Sequence, residues 1–96
     1  MSEDLPLGDE LEELVGECVV LDTQGQYLYI GTLAKECDRT LILEEADVHD
    51  TRESHTSDEL YILQAMKSGV RRNRHRVYVL ARDVVSLSRL DDVVTY

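Results

Sequence analysis

The stretch that decides the fold runs from Val15 to Ala46 and reads VGECVVLDTQGQYLYIGTLAKECDRTLILEEA. It contains three runs that are typical of β-strands, because each is rich in β-branched, aromatic or aliphatic residues. These runs are Cys18 to Leu21, Tyr27 to Leu33 and Leu41 to Leu43. A turn signal around Gly25 and a charged segment from Lys35 to Arg39 separate them. The stretch therefore predicts a three-stranded meander over residues 16–46.

Gly31 interrupts the second run. A sheet in a chain of 96 residues closes into a barrel only if its middle strand bends strongly, and glycine tolerates such a bend. We therefore place the bend at Gly31. The fold predicted is mostly β, a small and strongly bent barrel that forms a single domain over residues 1–96.

A short helix is predicted before the meander, over residues 9–15. Asp9 is a candidate N-cap, and Gly16 follows the helix where glycine commonly ends one. One apolar stripe runs along the helix through Leu7, Leu11, Leu14 and Val15. We expect this stripe to pack on the barrel.

Residues 47–76 form an insertion between the meander and the last two strands. Within it, Ser57 to Ser68 is predicted to be a helix, capped by Thr56 or Ser57 and ended by Gly69. Its apolar stripe would consist of Leu60, Leu63 and Met66, with Ile62 alongside. The alternative is a strand from Leu60 to Ala65, because several of these residues also tolerate β-structure.

Two apolar runs within residues 77–90, Val77 to Leu80 and Val84 to Leu87, predict the fourth and fifth strands, and an acidic tail follows over residues 91–96. In an open barrel, both runs would be exposed edges, and pairing between copies would cover them. The predicted oligomer interface consists of Val77, Tyr78, Val79, Leu80, Val84, Val85 and Leu87.

An ordered set of residues resembles the first motif of the Sm/LSm family. The set is Leu11, Leu14, Val15 and Gly16, then Val19 to Leu21, Gly25, Tyr27, Gly31-Thr32-Leu33, Asp38 and Leu41 to Glu45. The last two strands resemble the second motif in a weaker form. The resemblance implies a five-stranded barrel with an N-terminal helix. It further implies a homo-oligomeric ring of six or seven subunits, and single-stranded RNA as a partner.

The residues that grip an RNA base in this family are only partly present. Asp38 matches the first motif, but the Asn that normally follows it is missing. Leu80-Ala81 stands where an Arg-Gly pair is expected, and Asp83 stands where a second Asn is expected. Leucine cannot stack or donate as guanidinium does, and a carboxylate repels phosphate. We therefore expect the usual base site to be absent.

A basic segment supplies the alternative RNA-binding residues. Arg71, Arg72, Arg74 and Arg76, together with Asp38, are the RNA-binding residues that we predict. The formal net charge of −10 argues against non-specific nucleic-acid binding, and we expect no binding to DNA. The competing interpretation is a solvated loop, or arginines that pair with acids of a neighbouring subunit. Two functions stay open, an RNA-associated ring and a scaffold that lost RNA binding.

Other chemistry finds little support in the sequence. Asp47, His49, Asp50 and His55 have no specific metal-binding spacing, and we predict no metal site, no cofactor and no enzyme activity. Cys18 and Cys37 are expected to be reduced thiols in a cytoplasmic protein. The sequence contains no long apolar run, so we expect no membrane span.

Overall fold

The structure is a computed structural model that describes residues 8–52 and 57–94. The helices are α1 (Gly8–Glu13) and α2 (Asp58–Ser68). The strands are β1 (Cys18–Thr23), β2 (Tyr27–Cys37), β3 (Thr40–Asp50), β4 (Arg74–Leu80) and β5 (Val84–Arg89). Two 3-10 turns follow the last strands, at Ala81–Asp83 and Leu90–Asp92. In this part of the chain, no helix is long and apolar enough to cross a membrane.

The five strands form one antiparallel sheet in the order β4-β3-β2-β1-β5. The sheet curls around an apolar cluster, the barrel core, which α1 covers through Leu11. The members of the barrel core are Leu11, Val19, Leu21, Leu33, Leu41, Leu43, Ala46 and Val79. The predicted fold, a mostly β barrel with an N-terminal helix and a helix inserted between β3 and β4, is confirmed.

The bend in β2 lies at Gly31, as predicted. The pairing of β2 with β3 shifts register here, because Ile30 lies opposite Asp47 whereas Thr32 lies opposite Glu44. A Cβ atom added to Gly31 would lie 2.7 Å from the Cβ atom of Ala46. Only glycine therefore allows β3 to approach this closely at the bulge.

A second apolar cluster, the outer core, lies on the opposite face of β1 and β2, beneath α2. It consists of Val20, Leu28, Ile30, Ala65 and Leu90. Side chains of β1 serve both clusters, because neighbouring residues of a strand point to opposite faces. Thus β1 is covered on both sides, by the barrel core and by the inserted helix.

The inserted segment is a helix, so the alternative of a strand is wrong. Ser57 is its N-cap and accepts a hydrogen bond from the Leu60 amide at 3.2 Å. Gly69 ends it with a φ of +90°. The predicted apolar stripe is partly wrong, because Leu60 is 47% exposed while the small side chain of Ala65 is buried. Helical spacing alone does not choose between these faces; the small Ala65 side chain lets the helix approach the sheet closely. Of the two predicted caps, Thr56 lies outside the described residues.

The strands are longer than their apolar runs predict. β2 continues to Cys37 and β3 to Asp50, and β4 begins at Arg74 rather than at Val77. Polar residues extend these strands because their side chains can face solvent while the backbone keeps its ladder bonds. As a result, the charged segment between β2 and β3 shrinks to a turn of two residues, Asp38 and Arg39, whose φ values of 53° and 62° are both positive.

The N-terminal helix is shorter than predicted. It begins at Gly8, which places Asp9 inside the helix rather than at its cap, and it ends at Glu13. The next amides bond three residues back, from Leu14 to Leu11 and from Val15 to Glu12. The last turn is therefore tighter than an α-helix. Gly16 follows it with a φ of +94°, in agreement with the expected ending.

Candidate nucleic-acid interface

Two turns meet at one end of the barrel, which we name the turn end. They are the Asp38–Arg39 turn between β2 and β3 and the 3-10 turn Ala81–Asp83 between β4 and β5. The Ala81 amide donates a hydrogen bond to the Arg39 carbonyl oxygen at 2.9 Å. The residues that the Sm resemblance assigns to base binding therefore lie side by side.

The side chains at the turn end do not reproduce that base site. Leu80 is 43% exposed and cannot replace a stacking guanidinium. Asp38 and Asp83 add two exposed carboxylates. Two exposed arginines, Arg39 and Arg82, also lie on these turns, and no role was predicted for either from the sequence. The turn end therefore carries mixed charge without the expected amide donors.

The basic segment is only half available to an external anion. Arg72 Nη1 lies 2.7 Å from Glu45 Oε1, and Arg76 Nη2 lies 2.7 Å from Glu44 Oε2. Hydrogen bonds to Glu44 and then to Tyr78 raise the pKa of the Arg76 guanidinium. The acids that neutralise these two arginines thus come from β3 of the same chain.

Arg71 and Arg74 differ from the two paired arginines. Among residues 8–52 and 57–94, no carboxylate lies within ion-pairing distance of either side chain. Arg74 donates to the backbone carbonyl of Asn73 at 2.9 Å. Both side chains are exposed. They are the members of the predicted set that keep an unneutralised positive charge within this part of the chain.

Asp38 does not join the basic segment in one site. Thr40, which follows the Asp38–Arg39 turn, pairs with Leu80 at one end of β4, whereas Ala46 pairs with Arg74 at the other end. At a rise of roughly 3.3 Å per residue, the two ends of this strand lie about 20 Å apart. The predicted RNA-binding residues therefore fall on two separate surfaces.

A groove opens between the last residues of β3 and helix α2, and we call it the β3–α2 groove. Its volume is about 860 Å³. Along its wall, the Tyr61 hydroxyl donates to Asp47 Oδ2 at 2.6 Å. The His49 ring stacks on Tyr61 with centroids 3.9 Å apart and planes tilted by 13°. Burial, and then the hydrogen bond to Asp47, raise the pKa of Tyr61 far above its usual range.

Asn73 fixes the loop that closes this groove. Its side-chain oxygen accepts from the Val48 amide at 3.0 Å, and its side-chain nitrogen donates to the Val48 carbonyl at 3.2 Å. Its own amide donates to the Ala46 carbonyl at 2.9 Å. These three bonds hold the loop against β3, so that Arg71 and Arg72 line the groove.

The side chains that resemble metal ligands in the sequence do not come together in the structure. In the described part of the chain, no group of three His, Cys, Asp or Glu side chains could hold a metal ion, and His55 lies outside it. Cys18 lies opposite Thr32, and Cys37 lies at the far end of β2; both are free thiols. Burial raises the pKa of Cys18, and the Asp91 carboxylate adds to this effect.

The two outer strands present apolar side chains at their edges. Tyr78 is 61% exposed on β4, and Val85 is 63% exposed on β5. By contrast, Val79 is 4% exposed and belongs to the barrel core, which Val77, Val84 and Leu87 also contact. Of the predicted interface residues, Tyr78, Leu80 and Val85 therefore have side chains that a partner could contact.

Comparisons with known proteins agree with this architecture. The sequence matches no protein-family model and no curated protein. The structure resembles the Sm protein of Pyrococcus abyssi, solved with a uridine heptamer, with a TM-score of 0.59, 15% identity and coverage of 90% of this chain and 99% of that one. Sm-like protein AF-Sm2 of Archaeoglobus fulgidus has a TM-score of 0.59 and 13% identity, with coverage of 92% of this chain and 99% of that one. The P. aerophilum SmAP1 heptamer has a TM-score of 0.55 and 17% identity, with coverage of 90% of this chain and 95% of that one.

At this level of identity, the likeness concerns the path of the backbone. It covers 90% of this chain in one of these comparisons and 92% in another. The protein therefore has the Sm fold.

Proposed function

We propose that this protein assembles into a closed homo-oligomeric ring that associates with single-stranded RNA. The observation that carries the proposal is the pair of apolar strand edges. Among the described residues, β4 pairs only with β3, and β5 pairs only with β1. Each therefore leaves one row of backbone groups and exposed side chains without a partner.

Pairing of β4 with β5 of the next copy removes both edges at once. The contact is head-to-tail, so it closes only as a ring or continues as a filament. Tyr78 and Leu80 from one copy would be buried together with Val85 from the next. The P. aerophilum SmAP1 structure described above is a heptamer, which supports a closed ring for this chain.

The cations of the basic segment support the RNA part of the proposal. Arg71 and Arg74 retain a positive charge that no described carboxylate neutralises, and in a ring they would repeat once in every subunit. Single strands bind to such repeated cations largely through their phosphates. The similar P. abyssi protein was solved with a uridine heptamer, which adds support from the fold.

Native mass spectrometry of the purified protein tests the assembly. We expect a closed multiple of the 11.0 kDa chain, with additional mass that ribonuclease removes. A monomer at micromolar concentration would refute the ring. A ring without ribonuclease-sensitive mass would leave the assembly intact and remove the support for RNA.

Two matched double variants test the RNA contacts. We expect Arg71→Gln with Arg74→Gln to weaken binding of a single-stranded oligonucleotide and to reduce its salt slope by about 1.4, since each lost phosphate contact removes ~0.7. Arg72→Gln with Arg76→Gln removes the same charge from arginines already paired with Glu45 and Glu44. Equal losses in both double variants would show that net charge alone controls binding.

A scaffold without RNA is the second candidate function. It is favoured by the two intramolecular ion pairs and by the net charge of −10. If the ring forms but neither the wild type nor either double variant binds RNA detectably, a scaffold explains the protein better.

A further inference from the structure

The β3–α2 groove has the size and the wall chemistry of a small-ligand site. Its volume of about 860 Å³ lies within the range of pockets that hold nucleotide-sized molecules. One wall is formed by the stacked rings of Tyr61 and His49. Gln64 and Ser68 on α2 also line it and contribute an amide and a hydroxyl. Aromatic surface beside a few polar groups suits a flat, polar ring such as a nucleobase.

The charges of the groove are arranged so that its cation remains available. Asp47 accepts the Tyr61 hydroxyl at 2.6 Å, and Asp50 accepts the Arg52 amide at 3.0 Å. Both carboxylates therefore already have donors. Arg71 lines the same groove, and no described carboxylate lies within ion-pairing distance of it. An anionic group on a ligand would therefore be held best at Arg71.

His49 provides a further polar group. Its Nε2 atom is buried and has no hydrogen-bond partner within the described structure. Buried polar atoms almost always have a partner, so a ligand that shifts the His49 ring enough to reach this nitrogen would gain a donor or an acceptor, depending on the tautomer. Neither of the turns at the turn end lines this groove.

From these observations, we propose that the β3–α2 groove binds one nucleotide of single-stranded RNA, with the base against the Tyr61 and His49 wall and its phosphate on Arg71. This inference rests on the RNA association proposed above, and it moves the base site from the turn end to the outside of the barrel. A free mononucleotide carries the same base and phosphate, so the experiment needs an arm for each source.

Oligonucleotide binding by the intact oligomer is the first arm, measured by fluorescence anisotropy with labelled oligouridylate and oligoadenylate. Gln64→Trp fills the groove from an exposed helix position, and Arg71→Gln removes its cation. We expect each to weaken binding about tenfold, the loss that follows when one stacked base or its phosphate contact is removed. Arg82→Gln is the matched control, because it removes an exposed arginine at the turn end, and it should bind as the wild type does.

The second arm is a titration with uridine or adenosine monophosphate, followed by NMR of the His49 ring. We expect its resonances to shift in the wild type and to stay unchanged in Gln64→Trp. Thermal melting and native mass spectrometry would establish that each variant is folded and assembled.

The outcomes separate the two proposals. If Arg82→Gln weakens oligonucleotide binding while the groove variants do not, RNA association stands and the groove site is refuted. If the wild type binds no RNA but the monophosphates shift His49, the RNA function fails and the groove is supported as a nucleotide site. If neither ligand has an effect, both proposals are refuted.

Discussion

The two halves of β4 differ in what they offer to a partner. The first half, Arg74 to Arg76, is exposed and basic, and glutamates of β3 partly neutralise it. The second half alternates, with Val79 buried in the barrel core and Tyr78 exposed on the opposite face. One strand thus carries a charged surface at one end and an apolar edge at the other.

In the ring proposed above, this difference would separate assembly from ligand binding. In the proposed ring, the apolar half would join the subunits, and the basic half and its preceding loop would face the ligand. Leu80 would belong to both the turn end and the subunit contact, because it replaces a base-site residue with an exposed apolar one. The four predictions below test this division, beginning with the largest effect.

A charge placed on the apolar half of β4 should abolish the oligomer. Leu80→Asp would bury a carboxylate without a partner between subunits, at a cost that exceeds the gain from one apolar contact. We expect the variant to run as a monomer in analytical ultracentrifugation. Val94→Asp is the control, because Val94 is 67% exposed outside both edge strands. An unchanged oligomer in the Leu80 variant would show that β4 is not the interface.

Removal of a buried side chain from the apolar half of β4 should destabilise the fold rather than the assembly. Val79 is 4% exposed, and we expect Val79→Ala to lower the free energy of unfolding by roughly 1–3 kcal/mol through loss of buried surface and a residual cavity. Val85→Ala, at a 63% exposed position, should change it by less than about 0.5 kcal/mol. Urea denaturation in the Leu80→Asp background avoids a contribution from subunit dissociation.

The meander and its bend could be predicted from local residue types alone. Gly31 and the three apolar runs predicted the meander and its bend, because steric contact at a bulge and alternating burial depend on local residue type. The lengths of β2, β3 and β4 were not predictable in the same way. Their polar ends are strands only because a neighbouring strand supplies the ladder bonds.

Stability at high pH should depend on Tyr61. Burial and the Asp47 hydrogen bond raise the pKa of Tyr61, so the folded chain holds this proton more tightly than the unfolded chain does. This stabilisation is fully present below the unfolded pKa of about 10 and is lost as the pH rises above it. We expect Tyr61→Phe to flatten the decline of the unfolding free energy between about pH 9.5 and 11. An unchanged decline in Tyr61→Phe would contradict this role of Tyr61.

The smallest effect is expected at the basic half. Glu45→Gln removes the partner of Arg72 at a surface ion pair, so the unfolding free energy should fall by less than about 1 kcal/mol. The released arginine becomes available to phosphate, and the salt slope of RNA binding should steepen by about 0.7. Glu17→Gln breaks the Arg89 pair at a similar exposure and should leave the slope unchanged. Identical slopes in all three proteins would contradict a role for Arg72.

The candidate site was less predictable than the fold. The sequence pointed to the basic segment and left pairing with acids of a neighbouring subunit as one alternative, whereas Glu44 and Glu45 of the same chain pair with Arg76 and Arg72. The β3–α2 groove left no signal, because Tyr61 meets Asp47 only after β3 extends to Asp50 and α2 docks on the sheet. Contacts of this kind depend on tertiary packing, which residue spacing does not encode.

The pairing of β1 with β5 has a consequence for how the chain is made. β1 is synthesised before its second neighbour, Val84–Arg89, which follows only after β2, β3, α2 and β4. During this interval, β1 can form only its hairpin with β2, and Leu90 cannot yet cover the outer core. Such distant pairing makes closure of the barrel slow compared with formation of the helices. We therefore expect the barrel to close only after β5 has left the ribosome, which leaves the second edge of β1 unpaired until then.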